Sequence, residues 1–286
     1  MSGRAHPLKV LLLLVPGLGL IVVFIGTVVA MALAQSFGRF NFAGTSAWSL
    51  AFWRAQLASP LLWRSLLYSF RIALLGALLS VALAYPLALW LRKPFPGSGM
   101  LAALLKIPLL IPGLVAAFLY VNVISYSGFL NHALLALGIT DEPLRMQNDP
   151  RGIGVVILQT WKNMPFALLL LSGAVRAIRD DVIAAAQDLG ARSWARFRTI
   201  IAPLTLGSLQ ASLAIIFIGA AGDFSFQVIA GPIQVSSMAQ LMYRMQSQFG
   251  AWNDSAVVAV MLMVLALVGS ALLAVVTRLV VRIGQR

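Results

Sequence analysis

Three charged side chains stand alone within long apolar runs: Arg71, Lys162 and Asp223. A charge in such a run is costly to desolvate, and it marks either an ion pair or a polar route for a solute. Lys162 has polar neighbours in Gln159 and Asn163. Gln159, Lys162, Asn163, Asp223 and Arg71 are therefore the candidate path-lining set, and the competing reading has Arg71 and Asp223 pair, snorkel or face a partner subunit. Catalytic chemistry has no comparable grouping. The two histidines, His6 and His132, stand away from any candidate nucleophile. There is no G-x-x-x-x-G-K loop to cradle phosphate, no H-E-x-x-H metal pair and no cysteine. The chain is read as non-enzymatic, with no metal site and no cofactor of its own.

A second group of residues lies in 176–203, RAIRDDVIAAAQDLGARSWARFRTIIAP. Asp180 or Asp181 can cap a helix N-terminus, and 182–189 propagates it through Ala184, Ala185, Ala186 and Asp188. Gly190 interrupts it, at a left-handed or closely approached position. Arg192, Arg196 and Arg198 then surround Trp194 and Phe197, and Pro203 closes the segment. A basic, aromatic helix–Gly–helix element serves either as an interfacial helix on anionic lipid or as a docking knob for a partner.

These residues need elements to hold them, and composition says what kind. Hydrophobic residues make up 60% of the 286 positions and charged residues only 10%, against roughly 25% charged in soluble domains. A soluble enzyme and a disordered linker protein are both excluded. About 20 apolar residues cross a bilayer as a helix, which satisfies its own backbone groups. Runs at 10–37, 65–91, 107–127, 152–175, 204–230 and 255–277 give six such helices. The first is too long for the roughly 7–15-residue core of a cleavable signal, so a retained helix is expected. Pro108, Pro112 and Gly113 predict a break in the third. The segment 128–151 reads as a short amphipathic helix ending at Gly138, followed by an acidic turn.

The net charge of +13 rests on 21 Lys and Arg residues against 8 acids. With the N-terminus inside, 13 of the 21 fall on inner segments, six on outer ones, and Arg71 and Lys162 within spans. That bias places both termini in the cytoplasm, and it accounts for the basic excess without nucleic acid.

The loop motif is similar to that of the permease subunits of bacterial binding-protein-dependent ABC importers. Ala184-Ala185-Ala186, Gly190 after three intervening residues and Pro203 thirteen positions after the Gly match the family's cytoplasmic signature. Ala191, Trp194 and Phe197 fall where it favours such types, and Trp161 with Pro165-Phe166 resembles its W…PF signature. Ala184 departs from it, standing where the family usually has Glu, and Asp188 is a carboxylate one turn on. The likeness covers about 65–277. It implies an all-α integral membrane protein of type I ABC importer permease architecture. Residues 1–64 would form an N-terminal transmembrane helix and periplasmic segment, and 65–286 a five-helix core with its coupling loop at 180–203. It implies ATPase docking by Ala184, Ala185, Ala186, Asp188, Gly190, Ala191, Arg192, Trp194, Phe197 and Pro203. The implied partners are two ATPase subunits that bind ATP and Mg, a related second permease chain, a periplasmic solute-binding protein and the lipid of the bacterial inner membrane.

Segments such as 128–131 (Gly-Phe-Leu-Asn), 137–139, Pro143-Leu144-Arg145 and 187–191 resemble the polyamine branch of that family. Charge counting points the other way: the three intramembrane charges sum to +1, while a polycation route is expected to present acids or aromatic faces. Opine-like acids, phosphonates and iron chelates therefore stand as alternatives. A self-contained carrier or channel is a further one, although the inverted repeats and paired broken helices of such carriers are not evident.

Overall fold

A computed structural model describes residues 7–41, 44–144, 146 and 148–284, with side chains from residue 13 onward. Arg4, His6, Arg145 and Arg286 and the side chain of Lys9, which enter the charge count and the Pro143-Leu144-Arg145 likeness, lie outside the described residues. Every regular element among the described residues is helical. Five helices are long and apolar enough to cross a membrane: Leu13–Ser36, Pro60–Trp90, Gly113–Ala136, Ile153–Arg176 and Trp252–Ile283. The pair Ser193–Leu204 and Leu206–Ala221 is apolar enough to count as a sixth when taken together, and its axes differ by 69°. Five of the six expected spans are thus present as single helices among the described residues, and the expected fifth, 204–230, corresponds to the bent pair.

The break expected in the third span is present, and the fifth run differs from expectation. The span anticipated at 107–127 is split: helix Ile107–Leu110 ends, Pro112 is extended (φ −57°, ψ 143°), and helix Gly113–Ile124 begins. Proline without an N–H forces that restart. The apolar run 204–230 is also split, into Leu206–Ala221 and Ser225–Ala230, with Asp223 in the gap.

Contacts divide the chain into residues 1–62 with 241–261, and residues 63–240 with 262–286. In the first unit, the apolar stretch Leu13–Ser36 leaves most of its side chains exposed, with Ser36 buried at its end. Its C-terminal end is tied by Asn253, whose Nδ2 donates to the Gln35 carbonyl at 2.7 Å. Phe37 stacks on Trp48 (4.7 Å, 7°), Trp53 donates to Ser36 Oγ, and Gln56 donates to Asp254 at 2.8 Å.

The second unit carries the main core. Helix Pro60–Trp90 presents Ala73, Ala77, Val81, Ala84 and Ala88, and these join Ala167, Leu168, Leu171, Val175, Leu213, Ile216, Phe217 and Ala220 in one buried cluster. Small residues repeating about every fourth position let helix backbones approach closely, which is how spans pack without a hydrophobic drive between them. Gly269 shows the same economy of space, because a Cβ there would run into the Phe217 ring.

Candidate functional site

The residues of the loop 176–203 form a defined device. Helix Asp180–Asp188 buries none of its nine residues. Neither aspartate caps it, contrary to expectation. Arg179 is the N-cap and makes no side-chain capping bond, while both acids fall in the first turn, where they complement the helix dipole. Asp180 pairs with Arg92 at 2.9 Å, and Asp181 pairs with Arg179 and accepts from the Val182 amide.

The helix stops at Gly190, which adopts φ +79°. The Gly190 amide donates to Gln187 O (2.8 Å) and the Ala191 amide to Ala186 O (2.9 Å). This pair of bonds is a Schellman motif, which needs a left-handed residue at that position. No atom lies within 4 Å of where a Cβ would stand, so the glycine is required by backbone conformation and not by space.

Beyond it, Arg192 precedes helix Ser193–Arg196 and Phe197–Ile201 forms a π turn. Pro203 then sits at the start of Ala202–Leu204. Arg196 donates back to Ala191 O at 3.0 Å, fastening the second arm to the turn. Trp194, 69% exposed, stacks on Phe197 (5.4 Å, 24°), and Phe197 meets the Tyr85 ring edge-on (5.4 Å, 84°). Tyr85 is buried in helix Pro60–Trp90, and its hydroxyl bonds Thr205 Oγ at the bend. A continuous aromatic chain thus runs from the exposed loop to the kink of a span. Ala184, Ala185 and Asp188 are exposed, and Ala186 and Ala191 are half-buried.

The intramembrane set does not converge. Gln159 and Asn163 do meet: Asn163 Nδ2 donates to Gln159 Oε1 (2.8 Å) and to Gln159 O (2.9 Å). Gln159 is almost fully buried, with Gly76 making room for it, and its Nε2 has no partner among the described residues. Lys162 turns elsewhere. Its ammonium donates to the carbonyls of Pro108 (2.6 Å), Leu109 (3.3 Å) and Ile111, at the break before Pro112. Arg71 donates to the Arg151 carbonyl and lies over the Tyr68 ring at 5.8 Å. Asp223 accepts from the Phe226 amide at 3.1 Å and so caps helix Ser225–Ala230. The alternative in which Arg71 pairs with Asp223 is not formed; each has a backbone partner of its own.

Sequence reading missed several positions. Arg92 donates to Val175 O (3.2 Å) and Ile178 O (2.6 Å), Arg176 donates to Leu91 O (3.2 Å), and Arg198 donates to Ile283 O (3.1 Å). Each cation thus satisfies carbonyls at a helix C-terminal end; the available signal was a basic residue just past an apolar run. Buried Asn131 donates to Ser125, Tyr126 and Leu144 carbonyls and accepts from the Leu144 amide at 2.8 Å. Asp149 accepts from the Ile153 and Gly154 amides, capping helix Ile153–Arg176.

No family model matches the chain. Among curated proteins it is 32% identical over 178 residues to the spermidine/putrescine transport system permease protein PotB of Salmonella typhimurium. That match covers 62% of this chain and 61% of that protein. With PotB of Escherichia coli K12 it is 31% identical over 177 residues, 62% and 64% of the two chains. With the thiamine transport system permease protein ThiP of Brucella abortus it is 35% identical over 173 residues, 59% of this chain and 31% of that one. The matched region is thus less than two thirds of these relatives' length. Among solved structures, a bacterial ABC transporter involved in import of alginate aligns at TM-score 0.76 and 17% identity, covering 94% of this chain and 95% of that one. An amino acid ABC transporter aligns at 0.53 and 15%, covering 80% and 99%. The chain has the fold of ABC importer permeases, resembles permeases of the spermidine/putrescine kind in sequence, and is a multi-pass inner-membrane protein.

Proposed function

We propose that this chain is one membrane-spanning subunit of an ATP-driven importer and docks a separate ATPase through the loop 180–203. One observation carries the reading. A nine-residue helix with no buried residue is too short to be stable alone, yet it is clamped at both ends, by Arg92 and by the Gly190 turn. Such an element is built to be covered. Residues Ala184, Ala185 and Ala186 give it a smooth surface for a groove, and Asp188 and Arg192 supply charge at its end. Trp194, Phe197 and Tyr85 would pass movement of the docked ATPase to the bend at Thr205.

In this reading two ATPase subunits bind ATP and Mg, a related permease completes the pore, and a periplasmic protein delivers solute. Both termini face the cytoplasm, and the chain itself performs no chemistry. The solute is a small organic cation of the polyamine kind: spermidine, putrescine and thiamine, named for the matched relatives, are all positively charged at neutral pH. The net +1 of Arg71, Lys162 and Asp223 favours a second reading, an anionic or chelated solute. Gln159 and Asn163 remain the proposed path-lining pair. Reconstitution of the tagged chain with its co-purifying partners decides the matter. Uptake of labelled putrescine that requires ATP supports the proposal, and ATP-independent uptake defeats it in favour of a self-contained carrier. ATP-dependent uptake of an organic anion in place of putrescine selects the second solute.

A further inference from the structure

The Lys162 ammonium occupies a cradle of backbone oxygens whose origin can be traced. In an unbroken helix the Pro108 carbonyl accepts from the amide four residues on, and that residue is Pro112, which has no N–H. Ile111 is extended (φ −86°, ψ 123°), so its carbonyl also leaves the helical ladder. Three carbonyls, those of Pro108, Leu109 and Ile111, are thereby turned to one point, and Lys162 Nζ sits there. An ammonium has three N–H donors and no acceptor, so three carbonyl oxygens match it fully. A carboxylate or phosphate is repelled by the same oxygens, and a quaternary ammonium has no proton to give them.

We propose that the break before Pro112 is a binding site for a primary ammonium, occupied at rest by Lys162, and that an ammonium end of a transported amine exchanges with Lys162 there. The exchange rests on the organic-cation reading above; the site does not. It also removes the objection that the intramembrane charge sums to +1, because the lysine marks a place where a cation is held.

The test uses the assembled transporter in detergent and follows its thermal unfolding. Lys162→Ala empties the cradle and is expected to lower Tm by roughly 5 °C, the scale of losing charged hydrogen bonds to buried carbonyls. Methylammonium chloride is expected to restore that loss, putrescine to restore it at lower concentration, and tetramethylammonium chloride at equal ionic strength to leave it unchanged. Equal effects of methylammonium and tetramethylammonium, or no restoration by either, overturn the site. Restoration by methylammonium without putrescine overturns the exchange alone. Putrescine uptake by the unmodified transporter is scored separately, so a failed substrate reading and a failed cradle give different results. Should Lys162→Ala not reach the membrane, Lys162→Gln, which leaves part of the cradle unfilled, is expected to show the same order of salts.

Discussion

Gly190 shows what one residue contributes when space is not the issue. An L-residue at φ +79° costs roughly 1–2 kcal/mol, most for a β-branched side chain and least for Asn. Gly190→Val should abolish uptake by the reconstituted transporter at normal membrane levels of the chain, and Gly190→Asn should keep a measurable fraction. Equal activity of both variants and the parent would remove the docking assignment. Asn131 is the opposite case, a buried side chain joined by four bonds to a loop. Asn131→Leu leaves those backbone groups without partners and should cost about 2–4 kcal/mol, read as a lowered Tm in detergent. Gly190 was legible in the sequence because its motif is local, set by residues within one helical turn. Asn131 was not, because Leu144 reaches it only through the fold of the loop.

At the scale of elements, the third span was legible as broken and the fifth was not. Pro112 announces a lost N–H wherever it stands. The 69° bend at Thr205 depends on a π turn upstream and on the Tyr85 hydroxyl from another helix, and neither leaves a local mark. The coupling of Lys162 to the break is testable as a cycle. Pro112→Ala returns an N–H to the Pro108 carbonyl, so Lys162→Met should destabilise the Pro112→Ala chain less than the parent. An interaction energy of about 0.5–3 kcal/mol is expected, measured by unfolding of the four variants. Strict additivity would separate the lysine from the proline. Lys162, which the sequence sets beside Gln159 and Asn163, has partners that are backbone atoms, which no pattern of side chains could have named.

At the scale of the whole molecule the spans were legible from apolar length, and the placement of Lys and Arg supplies the proposed orientation. The grouping of 241–261 with the N-terminal segment was not legible, because it depends on bonds such as Gln56–Asp254 and Asn253–Gln35 between distant parts of the sequence. Orientation can be tested directly, as the chain contains no cysteine. In spheroplasts an impermeant maleimide should label Gln248→Cys from outside, and Ser193→Cys only after permeabilisation. Labelling of both from one side would refute the arrangement with both termini inside. The arginines that encode this orientation are partly the same ones that close helix ends: Arg92 on Val175 and Ile178, Arg176 on Leu91, and Arg198 on Ile283. Anyone re-engineering the chain to insert upside down, by moving its positive charge across the bilayer, would fray three helices in the same step. Insertion direction and helix-end integrity are therefore written on shared side chains and must be redesigned together.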